Sequence, residues 1–336
     1  MSDSRYFLGL DGGGTKTHCV LYDYEKDSLG FFCGGPTNHE VLPNGMESLP
    51  GAIGAVVVPL LSQAGIGIGE VDGAALGMGG VDMPMQHDLI RDIVAEMGFR
   101  NFGICNDGYL GIRAECGGTG ICAVNGSGCS VVGISPGGRT FQIGGHGDMS
   151  GDKGGGGYLV PAAMRAVYSA LFKKGPRTLL TDLMFEWLGI GERMAFSQAA
   201  AVQILNDQAA AYHSISQLLY RAAGRGDPEA LRILTVCGED YALSIRCVAE
   251  ELGLRAPIDT VLVGSQFKKC ENDHAIKTMR QALNPPGTPL GFRLKLISTA
   301  PVAGALLWAL ELGDRPAGQA LRDSLKTRLA SLEGCE

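Results

Sequence analysis

One short segment of the chain combines an acid, three consecutive glycines and three side chains that can donate hydrogen bonds. It consists of Asp11, Gly12, Gly13, Gly14, Thr15, Lys16 and Thr17. Apolar runs at 6–10 and 19–22 flank it, so the pattern predicts a β-hairpin with bare backbone at its tip. Because glycine lacks a Cβ, backbone N–H groups there can approach a polyphosphate closely. The hydroxyl and cationic side chains would add donors, and Asp11 could hold Mg²⁺ through water. The segment therefore predicts a nucleotide triphosphate site.

Two common phosphate loops do not fit this segment. The spacing G-x-x-x-x-G-K-[ST] is absent, and the glycines neither follow the register G-x-G-x-x-G nor open a helix. A plain glycine-rich turn that carries a surface aspartate remains the alternative.

A second acid follows a short apolar run. Asp107 comes directly after Asn106 and the run 102–105, which is predicted to be a strand. A carboxylate at the carboxyl end of a strand points towards the crevice where open α/β sheets bind ligands. Phosphoryl transfer to an alcohol needs an acceptor for the hydroxyl proton, and we predict Asp107 as this general base. Capping of a helix at 108–114 is the competing interpretation.

A second small-residue hairpin resembles the first in its chemistry. Its predicted phosphate-binding residues are Gly126, Ser127, Gly128 and Ser130. An ordinary hairpin turn is again the alternative. The polar glycine loop that follows, 144–157, would lose much conformational entropy on becoming ordered. A loop that only connects two elements has no need of such a segment, so a binding role is favoured. Within it, His146 and Asp152 could hydrogen-bond a polyol, and Asn38 could both donate to and accept from sugar hydroxyls. The turn Gly264-Ser265 after a strand could lie beside adenine.

The composition excludes several classes of protein. A formal net charge of -7 argues against nucleic-acid binding, which depends on clustered Lys and Arg. The ten cysteines include no C-x-x-C pair, so reduced, buried thiols are expected. The N-terminus carries no charged-then-apolar leader and no apolar run reaches the roughly 18 residues of a membrane span, so we expect a cytoplasmic protein without a membrane partner.

The order of predicted elements indicates two α/β halves. Three adjacent strands and βαβ crossovers open the first half, and the second begins again with three strands before it becomes helix-rich. We predict domains at 1–117 and 118–312, with a last helix in 313–336 that packs back on the first domain. Each half offers one glycine hairpin, and the two would face each other across a central cleft.

These segments, taken in order, resemble the N-acetylglucosamine kinase branch of the BadF/BadG/BcrA/BcrD ATPase family, within the sugar kinase, actin and Hsp70 ATPase superfamily. Residues 11–17 are similar to its first phosphate motif, 106–107 to its connecting motif, 126–130 to its second phosphate motif and 261–268 to its adenosine motif. The resemblance covers nearly the whole chain.

The resemblance implies two ribonuclease-H-like domains, ATP with Mg²⁺, and transfer of the γ-phosphoryl group to the 6-hydroxyl of N-acetylglucosamine or a close relative, with glucosamine next. It implies ATP contacts from Thr15 and Ser127, with Gly264 and Ser265 near the nucleoside. The implied sugar contacts are Asn38, Asp107, Gly145, His146, Gly147 and Asp152. A homodimer is also expected.

Three departures from the family pattern bear on the substrate. Asn125 to Ser130 replace Ser-Gly-Thr-Gly-Ser, His146 stands where a tryptophan is usual, and Lys153 stands where a glutamate is usual. An activator-type ATPase that holds an iron–sulfur cluster between subunits, and a catalytically silent sugar-binding homologue, are the alternative functions.

Overall fold

A computed structural model describes residues 4–268, 270–287 and 291–334. The strands in these residues are Tyr6–Gly12 (β1), Thr17–Asp23 (β2), Ser28–Gly34 (β3), Val71–Met78 (β4), Phe102–Cys105 (β5), Gly120–Asn125 (β6), Cys129–Ile134 (β7), Thr140–Gly144 (β8), Ile258–Val263 (β9) and Phe292–Leu296 (β10). The α-helices are Leu49–Ala64 (α1), Pro84–Glu96 (α2), Gly108–Glu115 (α3), Gly155–Phe172 (α4), Leu179–Leu188 (α5), Phe196–Asn206 (α6), Gln208–Gly224 (α7), Pro228–Glu251 (α8), Ser265–Lys268 (α9), His274–Leu283 (α10), Val302–Leu312 (α11) and Gln319–Ala330 (α12).

The strands form two sheets with the same plan. The first has the order β3-β2-β1-β4-β5 and the second β10-β9-β6-β7-β8. In each sheet, the first three strands in sequence form antiparallel pairs. The two later strands are added in parallel on the other side of the first strand. This repeated plan is the two-domain, ribonuclease-H-like α/β fold that the sequence predicts.

The central strand of the first sheet is covered on both faces. Leu8 and Leu10 pack into a core with α1 and α2, whereas Phe7 points to the opposite face and packs against α11 and α12. Alternate side chains of a strand point to opposite faces, so this apolar run buries both sides of β1. Among the residues that the structure describes, one helical stretch, Gly45–Ala64, has the length and hydropathy of a membrane span. The buried side chains of α1 belong to this core.

Helix α3 lies between the two sheets. Leu110 packs with the first sheet and α11, while Tyr109 and Ile112 pack against Cys122 and Val261 of the second sheet. A Cβ on Gly304 of α11 would lie 2.0 Å from the Leu110 carbonyl oxygen, so only glycine allows this approach. The helix that begins just after Asp107 is therefore fixed by both halves of the molecule.

Helix α11 packs on the first sheet, although the predicted limit at 312 counts it with the second domain. Its residues share a core with Phe7 and Ala75. The domain limits stay a prediction. This packing supports ending the second domain near residue 298 instead of at residue 312. Helix α12 also contacts the first half, where Arg328 Nη1 lies 2.8 Å from Asp27 Oδ1.

The helical region differs in detail from the sequence prediction. The sequence predicts helices at 193–200 and 202–224, whereas the structure ends α6 at Asn206 and begins α7 at Gln208. Asp207 accepts a hydrogen bond from the Ala210 N–H at 3.0 Å and so caps α7. This N-cap went unrecognised because the apolar pattern continues across it.

Candidate active site

The carboxyl ends of three parallel strands bring acidic groups to one edge of the first sheet. Asp11 lies at the end of β1, and Asp107 follows β5. Between them, β4 ends at Met78 and leads through two glycines to Asp82. This is the edge where ligands bind in open α/β sheets.

Asp107 makes no side-chain capping hydrogen bond to α3, which favours the predicted general base over the competing interpretation. The helix has no side-chain hydrogen bond from this position. Instead, Asn106 Oδ1 accepts from the Gly108 N–H at 2.9 Å. Burial, followed by the negative charge of Asp82, raises the pKa of Asp107 to about 6, against the opposing effect of nearby backbone N–H groups. The carboxylate is thus ionised and able to accept a proton at neutral pH.

Asp11 carries the larger pKa shift. Burial, and then the charge of Asp107, raise its pKa to about 7, and Lys16 opposes this shift. A divalent cation would relieve the repulsion between the two carboxylates, so the donor set fits an outer-sphere Mg²⁺. Within the described residues no group of three or more His, Cys, Asp or Glu could chelate a metal directly.

The first glycine loop presents only part of its backbone. The Gly13 N–H donates to the Lys16 carbonyl at 3.0 Å, whereas Gly14 and Thr15 are exposed. The Gly12 carbonyl accepts from the Gly79 N–H at 2.8 Å and so ties the loop to the end of β4.

Thr17 is a predicted phosphate residue that the structure buries. Its side chain is fully buried, and its Oγ1 lies 3.0 Å from Thr37 Oγ1. The burial and the pairing favour a supporting role for Thr17 in the loop, and its phosphate contact stays a prediction. Ser130 is likewise buried, within β7.

The second hairpin is braced by the start of α4. The Gly155 N–H donates to Asn125 Oδ1 at 2.7 Å, and the next two N–H groups donate to the carbonyls of Gly126 and Ser127, both at 2.9 Å. A Cβ at Gly155 would lie 2.5 Å from the Gly128 carbonyl oxygen. The glycines that end the 144–157 loop thus allow close packing on the hairpin.

The predicted adenosine turn meets this hairpin. Gly264 has φ +107, and a Cβ there would lie 2.3 Å from the Asn125 carbonyl oxygen. The turn and the hairpin are therefore adjacent, as a nucleotide that spans phosphates and base would require. Ser265 is exposed beside them.

Asp152 organises the loop that contains His146. Its Oδ2 accepts from the N–H groups of Gly145 and Gly147, both at 3.0 Å, and its Oδ1 accepts from Ser150 Oγ at 2.6 Å. His146 and both glycines are exposed on this loop.

Asn38 lies over the glycines that follow β4. A Cβ on Gly80 would lie 2.5 Å from Asn38 Oδ1, and the Asn38 N–H donates to the Gly13 carbonyl at 3.3 Å. The predicted sugar residue is thus held against the predicted phosphate loop.

Two residues at this edge were missed by the sequence prediction. Asp82 accepts at Oδ1 from Asn106 Nδ2 at 3.0 Å and from Gln142 Nε2 at 2.5 Å. The position of Asp82 just beyond the carboxyl end of β4 was the signal that could have found it. Gln142 comes from an edge strand of the other sheet, and its sequence neighbourhood offers no such signal.

A groove of about 520 Å³ lies elsewhere, between α4 and α6. Its lining is mainly apolar and includes Met164, Tyr168 and Phe196. None of the predicted phosphate or sugar residues lines it, so we place the candidate site at the sheet edges.

Comparison with known proteins finds two related sugar kinases. An N-acetylmuramic acid/N-acetylglucosamine kinase of Clostridium acetobutylicum is 24% identical over 256 residues, which cover 75% of this chain and 81% of the relative. An N-acetyl-D-glucosamine kinase of Dictyostelium discoideum is 28% identical over 260 residues, which cover 74% and 80% of the two chains.

Solved structures show the same fold. A presumed N-acetylglucosamine kinase from Chromobacterium violaceum superposes with a TM-score of 0.68 at 25% identity, covering 90% of this chain and 98% of that one. A ROK family glucokinase from Streptomyces griseus, solved with glucose and AMPPNP, has a TM-score of 0.55 at 16% identity, with 92% and 98% of the chains covered.

The family model for BadF/BadG/BcrA/BcrD ATPases matches residues 8–309, which include every predicted phosphate and sugar residue. The chain belongs to the BadF/BadG/BcrA/BcrD ATPase family.

Proposed function

We propose that this chain is an ATP-dependent amino-sugar kinase that phosphorylates the 6-hydroxyl of N-acetylglucosamine or a close relative, with glucosamine next. The observation that carries the proposal is the position of Asp107, a carboxylate that makes no capping hydrogen bond to α3 and lies at the same sheet edge as Asp11 and the first glycine loop. Two relatives named as kinases of N-acetylated sugars support the choice of acceptor.

In this mechanism Asp107 accepts the proton of the sugar hydroxyl as its oxygen attacks the γ-phosphorus. The bond between that phosphorus and the β,γ-bridging oxygen breaks, and ADP leaves with the electron pair. Exposed backbone at Gly14, Thr15, Ser127 and Gly128 would bind the phosphates, and Gly264 and Ser265 would border the nucleoside. Asp11 would hold Mg²⁺ through water, and the ion would neutralise phosphate charge when bound.

The acceptor would lie between Asn38 and the loop 144–152. Asp152 would act mainly by shaping this loop, because its oxygens already accept from Gly145, Gly147 and Ser150. Exposed backbone and His146 would then meet the sugar. We further propose a cytoplasmic location, since the relatives are named as kinases of soluble sugars, and a homodimer, as the family resemblance implies.

The test is sugar-dependent ADP formation by the purified protein with Mg²⁺. N-acetylglucosamine, glucosamine, N-acetylmannosamine and glucose are compared, and the phosphorylated position is read by ³¹P NMR. We expect turnover with an N-acetylated or free hexosamine and a 6-phosphate product. ATP hydrolysis that ignores all four sugars, in a protein that contains iron, would instead identify an activator-type ATPase. Tight binding of ATP and sugar without product would identify a silent homologue.

A further inference from the structure

Asp82 is rigidly held at the sheet edge although the proposed chemistry does not use it. Its Oδ1 accepts from Asn106 Nδ2 at 3.0 Å and from Gln142 Nε2 at 2.5 Å. Its backbone N–H donates to Gln86 Oε1 at 3.0 Å, which fixes the chain at the start of α2. The orientation of this carboxylate is therefore set by both halves of the molecule.

The residues around Asp82 are those predicted to bind the sugar. A Cβ on Gly145 would lie 2.8 Å from Asp82 Oδ1, so the loop backbone passes close to the carboxylate. Asn38 lies over Gly80, two residues before Asp82. His39 and His146 are near enough to act on it electrostatically. Asp82 thus lies within the proposed acceptor subsite.

The second oxygen of Asp82 has unused hydrogen-bonding capacity. Both amide donors reach Oδ1, and no donor in the described part of the chain bonds to Oδ2. This oxygen is not among the buried polar atoms that lack a partner, so it is open to solvent and a ligand donor can replace the water that hydrates it.

The subsite around this oxygen is negatively charged. Burial raises the pKa of Asp82 and the charge of Glu40 raises it further, while Gln142, His146 and His39 oppose these effects. Asp82 in turn raises the pKa of Asp107. The lysine of the acceptor loop, Lys153, lies towards Asp240, whose Oδ2 accepts from the Lys153 N–H at 3.4 Å.

Resting on the proposed function, we propose that Asp82 is a substrate-binding residue that sets specificity. Its Oδ2 accepts a hydrogen bond from a hydroxyl or amino group of the sugar, and its charge disfavours acceptors that carry a carboxylate. The chain then phosphorylates neutral or cationic hexosamines and discriminates against acidic ones. N-acetylmuramic acid, named for the Clostridium relative, is the acidic sugar to compare.

The experiment measures kcat and KM for N-acetylglucosamine, glucosamine and N-acetylmuramic acid in the wild-type protein and in Asp82→Asn. We expect wild-type kcat/KM for the better neutral or cationic sugar to exceed that for N-acetylmuramic acid by about 100-fold or more. In Asp82→Asn this ratio should fall at least about tenfold. The KM for the preferred sugar should rise about tenfold, while the KM for ATP stays within about twofold.

Two control variants separate recognition from structural effects. Asp88→Asn removes an equal charge from the exposed start of α2, where Asp88 pairs with Arg91 at 2.9 Å, and should leave the ratio unchanged. Gln142→Leu removes one of the two amide donors to Asp82 but keeps the carboxylate and its charge, so the ratio should fall clearly less than in Asp82→Asn. A ratio that changes equally in Gln142→Leu and Asp82→Asn would show that Asp82 acts only through its link to Gln142, and would overturn the proposal.

The wild-type measurements can overturn the proposal even if Asp82→Asn does not fold. Equal wild-type use of N-acetylmuramic acid and N-acetylglucosamine would overturn the proposed selectivity. If no amino sugar is phosphorylated at all, the proposed function itself fails. If amino sugars are phosphorylated and Asp82→Asn keeps the wild-type KM and ratio, only the role of Asp82 fails.

Discussion

Asp11 and Asp107 lie at the carboxyl ends of the parallel strands β1 and β5, and the charge of Asp107 adds to burial in raising the pKa of Asp11 to about 7. Two carboxylates that repel each other inside a protein reduce its stability, so such pairs are found where function needs them. The pair would be neutralised by a divalent cation and would direct a hydroxyl proton to the carboxylate that remains ionised.

The first prediction concerns the general base. Asp107→Asn keeps the shape of the side chain but removes its proton affinity, so we expect kcat to fall by roughly 10² to 10⁴. The KM for ATP should change little, because the phosphate hairpins are untouched. A coupled ADP assay measures both quantities, and Asp88→Asn on the exposed face of α2 is the charge-matched control. Wild-type kcat in a folded Asp107→Asn protein would disprove the assignment of the base.

The second prediction concerns pH. Asp107 must be ionised to accept a proton, and its pKa is raised to about 6 by burial and then by Asp82. With N-acetylglucosamine, which does not titrate, kcat/KM should therefore fall about tenfold per pH unit below about 6. Asp82→Asn removes the charge that helps to raise the pKa of Asp107. In this variant, kcat/KM should therefore begin to fall at a lower pH than in the wild-type protein. If kcat/KM begins to fall at the same pH in both proteins, Asp82 does not raise the pKa of Asp107.

The third prediction connects the acidic pair to stability. The pKa of Asp11 is higher in the folded chain than its ordinary value, so its ionised form disfavours folding. This destabilisation is absent below the ordinary pKa, grows as pH rises, and is complete above pH 7. Asp11→Asn should then raise Tm by about 2 °C or more at pH 8 and leave Tm unchanged near pH 4. Calorimetry at the two pH values tests this, and a lower Tm at pH 8 would contradict it.

The sequence predicted the strands and the acidic edge because these depend on local pattern. Apolar runs that end in glycine or acid identified β1 and β5, and hence Asp11 and Asp107. The two hairpins were found for the same reason, since small residues between apolar runs predict tight turns.

Contacts between distant segments could not be predicted in this way. Thr17 pairs with Thr37, and Gln142 reaches Asp82 from the other sheet, because of tertiary packing that no local pattern encodes. The packing of α11 on the first sheet depends likewise on Gly9 of β1 meeting the Leu306 backbone, far away in sequence. Domain limits that are predicted from the order of elements therefore miss a late helix that packs on the first domain.

The last prediction separates ligand binding from folding at the second hairpin. A Cβ at Gly128 would meet no atom within 4 Å, and the residue does not need a positive φ. The fold therefore tolerates alanine there, whereas a phosphate bound at this backbone would meet the added methyl group. We expect Gly128→Ala to keep Tm within about 1 °C and to raise the KM for ATP about tenfold or more. Gly137→Ala, in the equally open turn before β8, is the matched control and should change neither quantity. An unchanged KM for ATP in Gly128→Ala would mean that this hairpin is only a turn, and that the triphosphate binds at the first loop alone.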